Sequence, residues 1–421
     1  MFIKKNIKIL FFSFLFIFSD KLVYGSEQDF DVTVVGSAKF ADGRGRLSIG
    51  FIDYFKDKLS INYLPTMNPD FMDLNDDVKN IILDKNKTPG KVAILFDPLY
   101  PNNVSHMPNS IIKIAYSTFE ATKIPDYWVK AINEKIDSVV VPSQVLVDIY
   151  KKSGVKKPVF FMPHGIYIEE FLNEPIKRNK NRPFVFGSSA GFWEHKNHEL
   201  LLRAFIMKFE NNPDVKLKLH GRIAEKHIID RIFNIIKERN IQNIEIILKK
   251  LSREEYLEFM KSLDCYVIVS KGEGFSVTPR EAAALGIPTI ISNNLAHTEL
   301  ARTPYFKPVR SDIAERSNFY KNFGCDCGFC FNTDQYELEN ALEDVYNNYD
   351  LYLERANLAR EWVKQYTYPA LEKKYFSMLK PKNVILGDKN IIDDNYLMTD
   401  SKELYEKYML IKDNFDSSKA G

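Results

Sequence analysis

The sequence predicts an α/β protein made of two Rossmann-like, doubly wound domains. Short runs rich in Val, Ile and Phe alternate with amphipathic helical stretches from about Asp31 onward, a pattern typical of parallel sheets covered by helices. The alternation stops at a basic segment, residues 171–182, and then starts again. A chain of 421 residues, 45% of them hydrophobic, is long enough for two such cores.

Net charge and cysteine content exclude other classes. The net charge is +2, so no strong field favours a nucleic-acid partner. Four cysteines are too few and too unevenly spaced for a disulfide scaffold. Cys325, Cys327 and Cys330 lie close together, which leaves three readings open: a loop of ordinary thiols, one disulfide, or a metal site whose fourth ligand is not evident.

The N-terminus, residues 1–28, has the pattern of a signal peptide or membrane-associated segment. Lys4, Lys5 and Lys8 precede an apolar run over residues 9–18. About ten apolar residues cover only about 15 Å of helix, which is half a bilayer core. We therefore expect export or membrane association, with a tethering helix as one alternative. If the segment is an anchor or follows a misassigned start, the protein would work at the cytoplasmic face.

The first domain is expected over residues 29–178. Strands are predicted at 32–35, 92–96, 111–115, 138–141 and 159–161, and helices at 47–55 and 144–152. A second domain follows over residues 179–362, with strands at 184–186, 215–219 and 244–248 and helices at 198–208 and 228–236. Ser252 with Glu255 predicts a capping box at a further helix. Residues 363–421 are expected to form C-terminal helices and a charged tail that pack back on the first domain.

The most informative segment reads strand, glycine loop, helix, strand over residues 265–292. Gly272 and Gly274 allow a close approach of the backbone to a ligand. Pro279 suits the first turn of a helix, and Gly286 suits its end. Backbone N–H groups at this point favour a phosphate or a sugar oxygen above the sheet.

Within this segment, Glu273 and Glu281 are separated by seven residues in Gly-Glu-Gly-Phe-Ser-x4-Glu-Ala-x-Ala-x-Gly-x-Pro. This pattern resembles the donor site of retaining GT-B glycosyltransferases of the group 1 family. The resemblance implies that Glu273 lies beside the transferred sugar and that Glu281 binds the ribose hydroxyls. Gly274, Phe275 and Ser276 would line the donor, with backbone N–H groups of the last two on sugar and diphosphate. An alternative for Glu281 is a capping box with Thr278.

The resemblance extends to a basic segment before a helix. Lys196 would contact the donor diphosphate, as the family's lysine does. The family's additional arginine is absent from residues 186–193, so either Arg222 replaces its charge or the diphosphate is bound more weakly.

In the first domain, a glycine loop follows the first predicted strand. By resemblance, Gly43, Arg44 and Gly45 would cover the donor phosphates. Glu120 is expected at the cleft on the acceptor side, and His106 is the candidate for a histidine near the sugar. His164 is expected to make a structural hydrogen bond near the hinge.

The activity implied is transfer of a hexose, with retention of configuration, from a nucleotide sugar to a hydroxyl of a glycan or lipid-linked acceptor. Such an enzyme serves polysaccharide biosynthesis. Glu273 and Lys196 are the expected catalytic residues, and neither a cofactor nor a metal is expected. The expected partners are the nucleotide sugar and the acceptor, with a possible association with a membrane surface. The alternative is a catalytically degenerate GT-B fold that binds a nucleotide or glycan.

Overall fold

The computed structural model describes residues 30–40, 42–85, 88–176, 183–317 and 325–379. It contains two six-stranded parallel sheets, each covered by helices, so the predicted two-domain α/β fold is confirmed. The expected leader, residues 1–28, the charged tail from residue 380 and part of the expected linker lie outside the described residues. Within the described ranges, no helix combines the length and hydropathy needed to cross a bilayer.

The first domain alternates strands and helices along the chain. Its sheet has the order β2-β1-β3-β4-β5-β6, and every neighbouring pair is parallel. Strand β2 was not predicted. The elements are β1 Val32–Gly36, α1 Gly43–Phe55, β2 Ile61–Pro65, α2 Asp76–Leu83, β3 Val92–Leu95, α3 Pro101–Ser105, β4 Ile112–Tyr116, α4 Asp126–Lys135, β5 Ser138–Val141, α5 Gln144–Lys152, β6 Val159–Phe161 and α6 Glu169–Asn173.

The second domain repeats this architecture with the sheet order β12-β11-β10-β7-β8-β9. An antiparallel hairpin, β13-β14, stands apart from the sheet. The elements are β7 Phe184–Ser189, α7 His198–Phe209, β8 Val215–His220, α8 Lys226–Glu238, β9 Ile244–Ile247, α9 Arg253–Lys261, β10 Cys265–Ile268, α10 Thr278–Ala284, β11 Thr289–Asn293, α11 His297–Ala301, β12 Lys307–Arg310, β13 Ile313–Arg316 and β14 Phe329–Asn332. The predicted capping box is present: Ser252 accepts from the N–H of Glu255, whose carboxylate accepts from the N–H of Ser252.

The last three helices, α12 Gln335–Asn347, α13 Tyr349–Trp362 and α14 Tyr368–Leu379, connect the two domains. Helix α12 packs against α7 of the second domain. Helix α14 returns to the first domain, where Tyr368 and Tyr375 are buried in the core formed by β1, β3, β4 and α1. The hydroxyl oxygen of Tyr375 also accepts a hydrogen bond from the N–H of Gly165 at 3.0 Å. The C-terminal helices therefore pack against both domains.

Candidate active site

The carboxyl ends of the two parallel sheets face each other across a cleft, the edge at which doubly wound sheets bind ligands. The cleft encloses a cavity of about 1120 Å³. Its walls combine charged groups of both domains. They include Asp42, Arg44, Arg46, Asp97, Glu120, His195, Lys196, Arg222, Tyr256, Lys271, Glu273 and Ser276.

Lys196 lines this cavity and lies between two carboxylates. Its Nζ is 2.7 Å from Oε1 of Glu273 and 3.0 Å from Oε1 of Glu120. Glu120 comes from the first domain, whereas Lys196 and Glu273 belong to the second. Glu273 also accepts a hydrogen bond from Ser270, and His195 Nε2 is 3.3 Å from Glu120. The structure thus brings three of the predicted site residues into one cluster.

The local backbone explains how Lys196 reaches this point. Residues Glu194–Lys196 form a 3₁₀ turn, and Asn197 then adopts a left-handed conformation with φ of 61° before α7 begins. The Asn197 side chain donates to the carbonyl of Val269 and to the side chain of Asn332. Asparagine tolerates this left-handed conformation better than most residues. The two hydrogen bonds of its side chain fix the turn beside the glycine loop.

Charge and burial determine the protonation states in the cluster. Burial lowers the pKa of Lys196, but Glu120 and Glu273 raise it, and the net pKa lies above its ordinary value. Burial raises the pKa of Glu120, while Lys196 and His195 lower it to about 2. Burial lowers the pKa of His195 to about 4 against the influence of Glu120. At neutral pH, Lys196 is therefore cationic, Glu120 is anionic and His195 is neutral.

Glu281 is not part of a capping box. The N-cap of α10 is Val277, which has helical angles and makes no side-chain capping bond, and the Thr278 hydroxyl instead accepts from Tyr266. Glu281 is 1% exposed and lies behind the cavity surface, where it contacts two residues that line the cavity, Arg46 and Tyr256. Its two carboxylate oxygens accept from Arg46 of the first domain at 2.5 Å and from Tyr256 at 2.7 Å.

The glycine loop before α10 packs directly on the first domain. A Cβ on Gly274 would lie 1.5 Å from Oγ1 of Thr118, and one on Gly272 would lie 2.1 Å from the carbonyl oxygen of Glu120. Only glycine fits at such approaches. Ser276 has a positive φ of 67°. The buried Arg280 donates to the carbonyls of Phe275 and Ser276 and so keeps this loop folded.

Residues Gly43, Arg44 and Gly45 form the first turn of α1, which begins four residues before its predicted start at Leu47. The cause is Asp42, whose side chain caps the helix by accepting from the N–H of Arg44 at 3.2 Å. Asp42 also lies 3.5 Å from Nη2 of Arg222 in the second domain. The two predicted donor-binding arginines, Arg44 and Arg222, therefore lie near the same carboxylate, that of Asp42.

The two histidines of the first domain differ from expectation. His106 is exposed at the end of α3, where its Nδ1 is 2.7 Å from the carbonyl oxygen of Asn102, and it does not line the cleft. His164 does line the cleft, and its ring packs on Tyr116 and Phe275. No structural hydrogen bond reaches its Nδ1 within the described part of the chain. Burial, with the charge of Arg280, lowers the pKa of His164 to about 3, so the ring is neutral.

The four cysteines are free thiols. Cys327 and Cys330 are buried on or beside the hairpin β13-β14, and Cys330 lines the cavity. Across the described ranges, no three His, Cys, Asp or Glu side chains are arranged to hold a metal ion.

Sequence reasoning missed two groups that complete the site, Arg46 and Tyr256. Arg46 stands only two residues beyond Arg44 in Gly43-Arg44-Gly45-Arg46, so the signal was present in the same segment. Its partner Glu281 is 235 residues away, and no local pattern connects them. Tyr256 stacks under the guanidinium of Arg46, with 5.7 Å to the ring centroid.

Comparison with known proteins relates part of this chain to glycosyltransferases. Residues 169–304 match the family model described as glycosyl transferases group 1. An uncharacterized glycosyltransferase of Methanocaldococcus jannaschii is 27% identical over 127 residues, which cover 29% of this chain and 30% of that protein. A UDP-Gal:alpha-D-GlcNAc-diphosphoundecaprenol alpha-1,3-galactosyltransferase of Escherichia coli is 26% identical over 194 residues, which cover 43% of this chain and 47% of that protein. The chain thus spans less than half the length of these two curated relatives.

Solved structures match over most of the chain. Anabaena HepE in complex with UDP and glucose aligns with a TM-score of 0.61 at 11% identity, covering 82% of this chain and 99% of HepE. TarM aligns with a TM-score of 0.53 at 14% identity, covering 68% of this chain and 54% of TarM. At such identities the likeness concerns the fold. The chain therefore has the GT-B fold, and its second domain carries the sequence pattern of the group 1 glycosyltransferases.

Proposed function

We propose that this protein is a retaining glycosyltransferase that moves a hexose from a nucleotide sugar to a hydroxyl of a glycan or lipid-linked acceptor. The observation that carries the proposal is the contact between Lys196 and Glu273. Their side chains are 77 residues apart in sequence and meet at 2.7 Å on the wall of the interdomain cavity. The donor nucleotide that we propose is UDP; this choice is supported by HepE, which binds UDP, and by the Escherichia coli relative, which is named for UDP-Gal.

The chemistry requires stabilisation of the nucleoside diphosphate as it leaves. Negative charge grows on the diphosphate in the transition state, and a fixed cation at that place lowers the barrier. Lys196 supplies such a cation, and its raised pKa keeps it protonated. Arg222, Phe275 and Ser276 also line the cavity, and in this proposal the guanidinium of Arg222 and the two backbone N–H groups share this charge.

The donor would bind by exchange of ionic partners. In the structure, Lys196 is neutralised by Glu120 and Glu273, and Glu281 is neutralised by Arg46. A diphosphate would take the place of Glu120 at Lys196, and ribose hydroxyls would compete with Arg46 for Glu281. The released Glu120 would then face the acceptor side of the cavity. Closure of the two domains on the donor would orient the reactants and exclude water.

The test is nucleoside diphosphate release by the full-length protein from UDP-, GDP- and ADP-sugars, with and without EDTA. We expect release from at least one donor, with UDP-sugars first, and no loss with EDTA, because the charge is carried by side chains. Release that requires an added divalent metal would contradict the proposal that side chains alone stabilise the leaving diphosphate. Tight nucleotide binding without release of nucleoside diphosphate, whichever glycan or lipid-linked acceptor is added, would favour the alternative of a nucleotide-binding protein without transferase activity.

We also propose that residues 1–28 direct the chain to a membrane or through it. The apolar run over residues 9–18 supports this proposal. Fractionation of expressing cells would test it, with the full-length chain expected in the membrane or exported fraction. A variant with Leu15→Asp in the apolar run is expected to leave that fraction.

A further inference from the structure

Asp97 lies on the first-domain wall of the cavity, in a position that neither the family resemblance nor the motif analysis singled out. It follows strand β3 at the carboxyl end of the sheet. Its side chain is only 1% exposed, yet it lines the cavity. This wall faces the second domain, which carries Lys196 and Glu273.

The hydrogen-bond partners of Asp97 leave one carboxylate oxygen unused. Oδ2 accepts from the hydroxyl of Thr66. Oδ1 accepts no hydrogen bond of normal geometry from the residues that the structure describes, although the backbone N–H of Ser37 lies close enough to lower the pKa of the carboxylate. The guanidinium of Arg44 is the cation beside it, with 3.9 Å between Nη1 and Oδ1, which is too long for a hydrogen bond.

A buried carboxylate oxygen without a donor costs free energy, so such groups in folded proteins are usually satisfied by a ligand or a partner. The bond from Thr66 does not require a charge, because an asparagine amide oxygen would accept it equally. Burial raises the pKa of Asp97, while Thr66 and Arg44 lower it, and the net pKa lies above the ordinary value. The position therefore holds a carboxylate at a place where burial disfavours the charged form.

The surroundings of Asp97 suit a polyhydroxylated molecule. Tyr100 and the exposed side chain of Met67 contribute apolar surface to the same wall. Sugars present apolar ring faces and hydroxyl donors together, which matches an apolar wall with one strong acceptor. The side chain of Arg44 is 41% exposed and also lies 3.7 Å from Asp42, and in this proposal a ligand hydroxyl would displace it from Oδ1.

We propose that Asp97 binds the acceptor, by accepting a hydrogen bond from a hydroxyl of its terminal sugar. The proposal rests on the proposed transferase function and places the acceptor sugar on the first-domain wall, opposite Lys196 and Glu273. Asp97 acts there as an acceptor-binding residue that orients the sugar. It makes no bond to the donor.

The experiment uses full-length protein saturated with UDP, or with GDP or ADP if that nucleotide binds instead. Methyl glycosides of glucose, galactose and N-acetylglucosamine are the probes, and binding is followed by ligand-observed NMR. At least one glycoside should bind to the parent. Asp97→Asn should weaken that binding 10- to 100-fold, because a charge-assisted hydrogen bond is lost, while the nucleotide affinity is unchanged.

Two further variants separate binding from structure. Thr66→Val removes the internal bond to Asp97 but keeps the carboxylate, and it should bind the glycoside within about threefold of the parent. Asp264→Asn changes another buried aspartate, which accepts from the N–H of Val185 in the second domain, and it serves as the matched control for loss of a buried charge. Melting temperatures of all variants are recorded together with the binding data.

The outcomes are distinct. Glycoside binding by Asp97→Asn at the parent's affinity overturns the proposal, as does failure of every glycoside to bind the nucleotide-loaded parent. Equal losses in Thr66→Val and Asp97→Asn would assign Asp97 a structural role and also overturn it. Failure of the parent to bind any nucleotide would instead overturn the transferase function, and the same titration on the nucleotide-free protein would then test Asp97 alone.

Discussion

Arg46 and Glu281 form an ion pair across the cleft, with 2.5 Å between Nη1 of the first-domain arginine and Oε1 of the second-domain glutamate. Glu281 is 1% exposed, and burial of Arg46 lowers its pKa while Glu281 raises it, with a net raised value. The pair joins the two domains through Glu281, the residue that we propose binds the ribose hydroxyls. Nucleotide binding must therefore compete with an internal partner.

The first prediction concerns the energy of this pair. Glu281→Gln should lower the free energy of unfolding by about 1–3 kcal/mol, because Arg46 loses its carboxylate while it is still partly buried. The double variant Arg46→Met/Glu281→Gln should recover most of that loss. Urea denaturation of the parent, both single variants and the double variant measures the coupling. Additive effects would show that the two residues do not interact.

Much of the fold could be predicted from the sequence because it follows local patterns. Strand β5 and helix α5 have the predicted bounds, since each is a clear apolar or amphipathic run. Strand β2 was missed because Asn62 interrupts its apolar pattern, although Asn62 is buried and donates to the carbonyl of Thr88. A polar residue satisfied by a distant backbone group hides a strand from a local analysis.

The candidate site was predictable where its residues lie within local sequence patterns. Lys196, Glu273 and the glycine loop stand within recognisable segments, and the structure brings them together. The capping-box reading of Glu281 used only the spacing to Thr278, whereas the carboxylate is held by Arg46 from the other domain. The expectation for His106 rested on the family's first-domain histidine and on the position of His106 before strand β4, whereas its place at the end of α3 depends on how the first domain folds.

The second prediction concerns the contact between the glycine loop and the first domain. Gly274→Ala places a methyl group 1.5 Å from Oγ1 of Thr118, so one loop must move. We expect the rate of nucleoside diphosphate release to fall at least tenfold, because misplaced groups in a closed site lose their alignment. Adding Thr118→Ala removes Oγ1 and should restore only part of the rate, because the Cβ of residue 118 at 2.9 Å and the carbonyl of Phe119 at 3.0 Å remain. An unchanged rate in Gly274→Ala would show that the domains do not close in this way during turnover.

The third prediction concerns pH and a buried histidine. His198 stacks on Phe192, both of its ring nitrogens lack hydrogen-bond partners within the described ranges, and burial lowers its pKa to about 3. Between that value and the unfolded value of about 6.5, the unfolded chain binds more protons, so stability falls as the pH falls. Each pH unit below about 6.5 costs up to about 1.4 kcal/mol at this residue.

His198→Phe should remove this dependence while it keeps the stacked ring. The variant and the parent should therefore differ most at low pH, with the variant gaining about 2 kcal/mol relative to the parent between pH 7.5 and pH 5. Urea denaturation at these two pH values is the measurement. Equal pH dependence of the two proteins would mean that His198 is not held neutral in the folded state.

The most direct test of the central claim separates phosphate from sugar recognition in the cavity. Lys196→Ala and Glu273→Gln are compared with two exposed controls outside the cleft, Lys226→Ala and Glu343→Gln. Nucleoside diphosphate affinity and release from the nucleotide sugar are measured for all four variants and the parent. Lys196→Ala should bind the nucleotide at least tenfold more weakly. Glu273→Gln should keep that affinity within about threefold and lose release. Parent-like affinity and release in both cleft variants, at unchanged melting temperatures, would contradict the assignment of this cavity as the donor site.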